Sequence, residues 1–355
     1  MKSLIDKGIS TIRNDGVKVF AMRTWKYGLV KLKRLTRPND VKNIEKWKQL
    51  KNKYKGKRIF IIGNGPSLNK MPLYLLEGEY TISFNRFNLM FERLNWLPNF
   101  YMVTDDLVIK DMYSQINQEI LPLVEHAFFP DIHPSNVEFS KYISHRDNVH
   151  WLNMDQPQFR ADLPYCGINK TVVNGAIQVV AYMGFTEIYL IGVDMTFADQ
   201  KVKKLNSRNW EAAEKDPNHF DPRYFGKGLK YHNPTVHEML EKFEEGREFF
   251  ANRGVKIFNA GYGGKLEVFP RVDFDSLFDL NDIQIQALLN TSRVLKERNI
   301  TFHEALNSPL ITEPTETYPN LFKASGEFGI TLIPLLIFDY LPVGPYKGEY
   351  FFVKR

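Results

Sequence analysis

The stretch that decides the fold of this chain is residues 59–68, Ile-Phe-Ile-Ile-Gly-Asn-Gly-Pro-Ser-Leu. Its four apolar residues, 59–62, predict an interior strand of a parallel sheet, because such strands are buried on both faces. Gly63 and Gly65 permit a tight turn with close backbone approach, and Ser67 can cap a following helix. A turn of this kind favours a phosphate or a ribose. An ordinary strand-to-helix turn is the alternative, since a lone glycine-rich turn is a weak motif.

Short apolar segments alternate with helical segments along most of the chain. Strands are predicted at 59–62, 80–84, 100–103, 127–129, 187–193 and 255–259. Helices are predicted at 41–57 (helix or linker), 70–77, 174–183 and 235–252. This alternation predicts an α/β fold with a doubly wound, mostly parallel sheet, which is the Rossmann-like arrangement.

The predicted domain organisation has three parts. Residues 1–57 form a basic, amphipathic helical leader and linker, and residues 58–275 form the Rossmann-like domain. Within that domain, residues 198–234 form a long, turn-rich segment, and loops of this length are typically lids or binding loops. Residues 276–355 form a C-terminal extension, in which we expect a helix at 281–298 and a hairpin or packing arm at 328–341.

The composition limits the class of protein. A hydrophobic content of 43% and a charged content of 25% are typical of a folded globular chain. The single cysteine, Cys166, excludes a disulfide framework and a multi-cysteine zinc site, and it favours a reducing compartment. No apolar run is long enough to span a bilayer, and the N-terminus lacks a signal-peptide pattern, so we expect a cytoplasmic protein.

Positive charge is concentrated at the N-terminus. Residues 1–58 contain 18 lysines and arginines against four acidic residues, a net charge of +14 within a total of +6, so the rest carries −8. Apolar residues recur at helical spacing among these cations, which predicts an anionic membrane surface as the partner of residues 1–35, on the inner face of the cytoplasmic membrane. A helix packed on the protein's own body is the alternative. Nucleic acid is not expected, because no binding motif accompanies the charges.

Polar residues follow the ends of four predicted strands, and these ends meet along one edge of a parallel sheet. The candidate nucleotide-binding residues at this edge are Asn64, Gly65, Pro66, Ser67, Asn85, Arg86, Thr104, Asp105, Asn174, Gly175 and Asp194. Side-chain amides and hydroxyls match the ribose and base of a nucleotide without adding charge. Helix or turn capping is the alternative role of Asn85 and Asn174.

Asp105 and Asp106 raise the question of a metal site. Two adjacent carboxylates can coordinate Mg²⁺, but neighbouring residues of an extended strand point to opposite faces. We therefore expect at most one of them to face a ligand, and we predict no resident metal.

The segment 198–234 holds the candidate catalytic histidines, His219 and His232. Histidine is the side chain best suited to accept a hydroxyl proton near neutral pH. The residues of this segment that are predicted to stabilise a phosphate are Arg223, Tyr224, Lys230 and Tyr231. We expect the other six histidines to be surface or capping residues.

Four motifs together resemble two related families. The motifs are Ile-Ile-Gly-Asn-Gly-Pro-Ser-Leu (61–68), Asn-Arg-Phe (85–87), the block 174–194 with Met-Gly-Phe-Thr-Glu-Ile-Tyr-Leu-Ile-Gly-Val-Asp at its end, and His-Phe (219–220) upstream of His232. One family is the bacterial lipooligosaccharide sialyltransferases, which use CMP-activated nonulosonic acids. The other is the 6-hydroxymethylpterin diphosphokinase MptE-like group, which includes the central domain of motility accessory factors. The likeness covers residues 58–275.

The resemblance implies a single-domain glycosyltransferase variant of the fold and roles for particular residues. Asn64, Gly65, Asn85 and Asn174 would contact a cytidine nucleotide, and Thr104 or Asp105 would meet its ribose or base. His232 or His219 would be the general base. The tyrosines that sialyltransferases place after the Gly-x-Asp strand are absent here, because Met195, Thr196 and Phe197 occupy those positions.

The function expected from the resemblance is transfer of a sugar from a nucleotide donor to a surface-glycan or lipid-linked acceptor, with no further cofactor. One alternative is a Mg²⁺-dependent pyrophosphokinase of the 6-hydroxymethylpterin diphosphokinase type. Another is a non-catalytic nucleotide-binding scaffold. A homo-oligomer is compatible with the sequence.

Overall fold

The structure is a computed structural model that describes residues 17–36, 40–71, 73–94, 96–205 and 209–278, and the strand segments 311–312, 321–325, 340–346 and 349–354. Within these ranges, no helix is both long enough and apolar enough to cross a bilayer. The predicted helix 281–298 and most of the apolar segment 328–341 lie outside the described residues.

The central element is a seven-stranded sheet in which every neighbouring pair of strands is parallel. Its strands are β1 (Arg58–Ile62), β2 (Thr81–Phe84), β3 (Phe100–Met102), β4 (His126–Pro130), β5 (Val149–Leu152), β6 (Glu187–Ile191) and β10 (Lys256–Asn259). The spatial order is β10-β6-β1-β2-β3-β4-β5, so the chain builds outward from β1 on one side and then returns to its other side. The predicted fold class is confirmed, and β1 lies at the point where the direction of winding switches.

Helices cover both faces of this sheet. Those described are α1 (Val17–Thr36), α2 (Val41–Leu50), α3 (Asp106–Gln115), α4 (Val172–Tyr182) and α5 (Val236–Ala251). Alternate residues of β1 enter different cores, because successive strand side chains point to opposite faces. Ile59 and Ile61 pack with α2, α4 and α5, whereas Phe60 and Ile62 pack under short 3-10 turns and the segment around Phe220. Burial of each such apolar side chain stabilises the folded state by about 1.5–3 kcal/mol relative to leaving it exposed.

Two smaller antiparallel sheets accompany the central one. The segment predicted as a turn-rich lid contains β7 (Val202–Lys204), β8 (Asn209–Ala212) and β9 (Lys230–His232), paired in the order β7-β8-β9. The C-terminal strands β11 (Ile311–Thr312), β12 (Leu321–Ser325), β13 (Tyr340–Tyr346) and β14 (Glu349–Lys354) form the other sheet. The β13–β14 pair includes the end of the segment predicted as a hairpin or packing arm.

The predicted helix at 70–77 is wrong. The structure has two 3-10 helices there, Pro66–Lys70 and Leu73–Leu76, and Met71 between them is extended, with ψ of 143°. The sequence contains the reason, because Pro72 disfavours the helical conformation for the residue before it. The resulting short turns bring the chain back over the end of β1.

The prediction that His150 is a surface or capping residue is also wrong. His150 is only 2% exposed, and its Nε2 lies 3.0 Å from Nδ1 of His126. Burial, together with the neighbouring His126 and two lysines, lowers the pKa of His150 to about 2. Burial and Lys53 lower the pKa of His126 to about 4. Both rings are therefore neutral at physiological pH, and they lie at the strand ends opposite the site described below.

Candidate functional site

The turn after β1 is built on an unusually close approach between β1 and the end of β6. The N–H of Gly63 donates to the carbonyl of Ile191, and the N–H of Gly65 donates to that of Gly192, both at 2.8 Å. A Cβ atom on Gly63 would lie 2.2 Å from the Gly192 oxygen, which no real Cβ tolerates. Glycine at position 63 is therefore a steric requirement, which explains the first of the two glycines in the Gly63-Asn64-Gly65 turn.

Ser67 and Asp194 lock this turn by binding each other. The backbone N–H of Ser67 donates to one carboxylate oxygen of Asp194 at 2.9 Å, and its hydroxyl donates to the other. A Cβ atom on Gly65 would collide with the same carboxylate, at 2.4 Å. The structure thus gives Ser67, Gly65 and Asp194 a role in shaping the turn, and their direct contact with a nucleotide stays a prediction.

Four of the predicted nucleotide-binding residues carry buried polar atoms that have no hydrogen-bond partner. Among the described residues, seven buried side-chain atoms are in this state, and four of them are Asn64 Oδ1, Asn85 Oδ1, Arg86 Nε and Asn174 Oδ1. An unpaired buried group costs about 1–3 kcal/mol, so native proteins retain few of them without a reason. Their concentration at the carboxyl edge of the sheet marks the place where a polar ligand would recover that cost.

These residues lie on adjacent elements. Nδ2 of Asn64 is 3.4 Å from the carbonyl oxygen of Phe84, the last residue of β2, and Asn85 follows it with a positive φ of 51°. Asn174 lies in the first turn of α4 and donates from Nδ2 to the carbonyl of Asn169 at 3.0 Å. A Cβ on its neighbour Gly175 would lie 2.8 Å from the end of the Met102 side chain, in β3. The predicted convergence of β1, β2, β3 and α4 is therefore observed.

A buried amide that the sequence analysis missed supports Asn174. Oε1 of Gln178, one helical turn later, accepts the N–H groups of Arg160 at 2.9 Å and Gly167 at 2.8 Å. Its Nε2 donates to Oδ1 of Asn169 at 2.9 Å and to the carbonyl of Asn174 at 3.1 Å. The i to i+4 spacing of Asn174 and Gln178 on α4 is the signal that could have revealed this pair.

The lid segment is hydrogen-bonded at Phe220 to the turn after β1 and to the short helix that follows it. The N–H of Phe220 donates to the carbonyl of Asn64 at 2.9 Å, and Nδ2 of Asn69 donates to the carbonyl of Phe220 at 2.7 Å. Tyr224 is buried next to Asn85 and Arg86, and burial raises the pKa of its phenol above the ordinary value although these two neighbours lower it. The segment that was predicted to cover the crevice therefore packs on the turn and on the end of β2.

His219 is held in one orientation by a carboxylate. Its Nδ1 lies 2.7 Å from Oδ2 of Asp216, which is itself only 4% exposed. The imidazole stacks on the ring of Tyr224 with centroids 3.9 Å apart and an interplanar angle of 3°. An Nδ1–H bond to a carboxylate leaves Nε2 as the basic nitrogen, and no described residue hydrogen-bonds to Nε2. Asp216 was missed by the sequence analysis, although it stands three residues before His219.

The residues predicted to stabilise a phosphate are largely engaged elsewhere. Arg223 makes two hydrogen bonds to the buried carboxylate of Asp221, at 3.0 and 2.9 Å. Tyr231 donates to Oε1 of Gln200 at 3.0 Å and stacks on Phe225, and Lys230 is exposed on β9. Together with the buried Tyr224, these contacts make the group a structural part of the lid. Their role toward a phosphate stays a prediction.

A second polar cluster lies at the junction of β3 and α3. Strand β3 ends at Met102, Thr104 is half-buried, and Asp105 caps α3 by accepting the N–H of Leu107 at 2.7 Å. The pair lies at a helix start and not on a strand, so the strand alternation behind the expectation does not apply. Which of Asp105 and Asp106 faces a ligand stays a prediction. Oδ1 of Asp106 lies 3.3 Å, and Oδ1 of Asp105 3.7 Å, from Nε2 of His232.

Asp106 is ionised in this environment. Burial opposes its charge, but hydrogen bonds from His232 and Lys110 outweigh burial and hold the pKa of Asp106 well below its usual range. Nδ1 of His133, which was predicted to be a surface or capping residue, accepts the backbone N–H of Ser135 at 3.1 Å and also lies 3.7 Å from Oδ1 of Asp106. Asp105, Asp106 and His232 form a group whose ligand atoms all lie within 4.8 Å of one another.

A cleft of about 540 Å³ opens beside the turn. Its walls are formed by Pro66, by residues 195–198 after β6, by residues 217–218 of the lid, and by Val236 and Lys265. Met195, Thr196 and Phe197 thus line the cleft, and Lys265 is the cation among its described lining residues. Its volume is in the range of small-molecule sites.

Residues 36–200 match the family described as 6-hydroxymethylpterin diphosphokinase MptE-like. The chain resembles this family. The matched part includes α2, strands β1 to β6, the turn and Asp194, and it ends at the beginning of the lid. A search of curated protein sequences found no match.

Solved structures with a distant likeness are sialyltransferases. One is the sialyltransferase CstII from Campylobacter jejuni in complex with the substrate analogue CMP-3FNeuAc, with 16% sequence identity and a TM-score of 0.35, covering 61% of this chain and 86% of that chain. Another is CstII in complex with a trisaccharide acceptor and CMP, with 16% identity and a TM-score of 0.32, covering 57% of this chain and 80% of that chain. Likeness at this level does not identify a substrate.

Proposed function

We propose that this chain is a glycosyltransferase that moves a sugar from a nucleotide donor, a CMP-activated nonulosonic acid, to a surface-glycan or lipid-linked acceptor. The observation that carries the proposal is the group of unpaired buried polar atoms on Asn64, Asn85, Arg86 and Asn174. Three of these four side chains are amides, which match the neutral edges of a cytosine and the hydroxyls of a ribose. The sequence resemblance to sialyltransferases is the second support.

In this proposal His219 is the general base. Asp216 fixes its tautomer, so that Nε2 is free to accept the proton of an acceptor hydroxyl. His232 is the less suitable base, because both of its ring nitrogens already face oxygen atoms. The ring of His219 also lies on Tyr224, next to Asn85, which brings the base close to the proposed nucleotide.

The cleft supplies a place for the sugar and the leaving phosphate. Lys265 is a cation of its lining. Lys230 is exposed on β9 of the lid, and Arg223 is paired with Asp221. Cations at the position where a phosphate departs stabilise the developing negative charge. No metal ion is required for this chemistry.

The second candidate is a pyrophosphokinase, which transfers diphosphate from ATP to an alcohol. The match to the MptE-like family favours it, as does the cluster of Asp105, Asp106 and His232. A metal ion held by carboxylates would bridge the phosphates of ATP in such an enzyme. A nucleotide-binding scaffold is the third candidate, and it would not need His219.

Nucleotide titration distinguishes these candidates. We expect CMP to raise the melting temperature of the full chain in the presence of EDTA, by an amount that corresponds to about 2.7 kcal/mol at a hundredfold excess over Kd. UDP, GDP and ATP serve as the comparison, each with and without Mg²⁺. Stabilisation by ATP alone, and only with Mg²⁺, would favour the pyrophosphokinase and remove the proposed donor.

We also propose that α1 attaches the protein to the inner face of the cytoplasmic membrane. Four large apolar side chains at helical spacing are more than 40% exposed on this helix: Met22, Trp25, Leu29 and Leu32. Exposed apolar residues on a basic helix are typical of interfacial helices. Near the helix end, Lys33 pairs with Glu138 at 2.8 Å, so α1 contacts the body of the protein through an ion pair at that point.

This attachment has a direct test. We expect the double variant Trp25→Gln, Leu29→Gln to reduce partitioning to phosphatidylglycerol vesicles by at least about tenfold, because each apolar side chain contributes about 1.5–3 kcal/mol when it is buried. The positive charge is unchanged, so the loss reports on apolar insertion. Equal partitioning of the variant and the parent protein, measured by sedimentation, would contradict the proposal.

A further inference from the structure

Asp105, Asp106 and His232 bring one nitrogen and two oxygen atoms to a common point. The distances from His232 Nε2 are 3.3 Å to Asp106 Oδ1 and 3.7 Å to Asp105 Oδ1. The histidine lies 126 residues after Asp106 in the chain and reaches it from β9, so this contact joins the lid to the central sheet. The three ligand atoms all lie within 4.8 Å of one another, which is close enough for one metal ion to contact all of them.

Both ring nitrogens of His232 face oxygen atoms. Its Nδ1 faces Oδ1 of Asn209 at 2.9 Å, and its Nε2 faces Oδ1 of Asp106 at 3.3 Å. A neutral imidazole has a single N–H and can satisfy only one of these two acceptors. The second nitrogen therefore faces a carboxylate with its lone pair, unless a proton or a metal ion lies between them.

A second imidazole lies beside the same carboxylate. Nδ1 of His133 is 3.7 Å from Oδ1 of Asp106, and it also contacts the backbone N–H of Ser135 at 3.1 Å and the Ser135 hydroxyl at 2.7 Å. Lys110 pairs with the other oxygen of Asp106, Oδ2, at 3.0 Å and leaves Oδ1 to the cluster. Oδ1 of Asp106 is thus surrounded by two imidazole nitrogens and a second carboxylate.

We propose that Asp105, Asp106 and His232 bind a divalent transition-metal ion, with Zn²⁺ or Mn²⁺ as the chemical class. A mixed set of imidazole and carboxylate ligands suits these ions, whereas Mg²⁺ prefers oxygen ligands alone. Asn209 orients the imidazole by accepting its Nδ1–H, as the outer partners of metal-bound histidines do. The ion takes the place of the proton between Nε2 and Asp106 and fastens the lid, through β9, to the start of α3.

The proposal is independent of the nucleotide donor, so it is tested on the full chain without nucleotide. After treatment with a chelator and its removal, the protein is titrated with ZnCl₂ and MnCl₂ by calorimetry and with CoCl₂ by visible absorbance. We expect saturation at one equivalent and a Co²⁺ spectrum of mixed nitrogen and oxygen ligation. Asp106→Asn and His232→Gln should each weaken binding by at least about tenfold, and Asn209→Ala by about tenfold to a hundredfold.

Controls separate this site from adventitious binding and from misfolding. His237→Gln removes an exposed histidine that pairs with Glu241, and it should leave the affinity unchanged. Asp105→Asn keeps the cap of α3, because asparagine caps as well as aspartate, so weaker metal binding by this variant cannot come from loss of the helix. Absence of saturable binding, or unchanged affinity in a folded Asp106→Asn variant, would overturn the proposal.

Discussion

We expect His219→Gln to lower the turnover number by about 10²–10⁴-fold, the usual contribution of a general base, and to leave the affinity for the nucleotide within about twofold of the parent value. Glutamine preserves the volume and a hydrogen-bonding group toward Asp216, but it cannot accept a proton. The measurement combines initial rates of sugar transfer from a CMP-sugar with calorimetric titration of CMP. The effect is large because no described residue other than His219 offers an oriented, unengaged imidazole nitrogen beside Asn64 and Asn85.

Two further variants define the role of the pair. Asp216→Asn should reduce turnover and change the pH profile of the rate, because the amide no longer fixes the tautomer of His219. His237→Gln, on the exposed face of α5, is the control that should retain full turnover. If His219→Gln keeps the parent rate while His237→Gln also does, the histidine is structural and the proposed mechanism is wrong.

Asn174→Leu and Gln178→Leu should differ in their effects on stability and on nucleotide binding, although both amides are fully buried on α4. Gln178→Leu should mainly lower the free energy of unfolding, and Asn174→Leu should mainly weaken CMP binding. Gln178→Leu leaves the N–H groups of Arg160 and Gly167 without acceptors, at a cost of about 1–3 kcal/mol each, so it should lower the free energy of unfolding by about 2–6 kcal/mol. Asn174→Leu removes an unpaired oxygen and one hydrogen bond to Asn169, so its effect on the same quantity should be about 1 kcal/mol.

For CMP affinity we expect the reverse order, with the larger loss in Asn174→Leu. The Oδ1 atom of Asn174 gains a partner only when a ligand is present, so Asn174→Leu should weaken CMP binding by about 10- to 100-fold. Asn174 is completely enclosed, so we expect CMP binding to require a movement of neighbouring side chains. Denaturant unfolding and calorimetry provide the two measurements. Strong destabilisation by Asn174→Leu with unchanged CMP affinity would show that this amide serves the fold alone.

The central sheet was largely predictable because its strands are short, apolar and locally encoded. Every predicted strand was found, and the boundaries of β1 and β10 differ from the prediction by one residue. Strand β5 (Val149–Leu152) and helix α3 (Asp106–Gln115) were missed. The four residues of β5 include the polar His150, whose burial depends on packing against Trp47 of α2, and sequence pattern does not contain that contact.

The candidate site was predictable in its residues but not in their partners. Glycines and asparagines after strands could be recognised from spacing, because the carboxyl ends of parallel strands lie at one edge. The pairing of Ser67 with Asp194 spans 127 residues, and that of His232 with Asp106 spans 126. Contacts of this separation depend on the order of strands in the sheet, which no local pattern encodes.

The sequence alone therefore determined the fold class, the basic N-terminal helix and the residues that line the edge, since hydrophobic periodicity and turn chemistry act over a few neighbouring residues. Only the tertiary structure decided which of those residues are engaged with each other and which keep unpaired atoms. In the folded chain Asp194 binds Ser67, Asp216 binds His219, and His232 contacts the carboxylates of Asp105 and Asp106. The physical reason is that a hydrogen bond or an ion pair requires atoms to meet at about 3 Å, and the winding of the chain around β1 brings these atoms together.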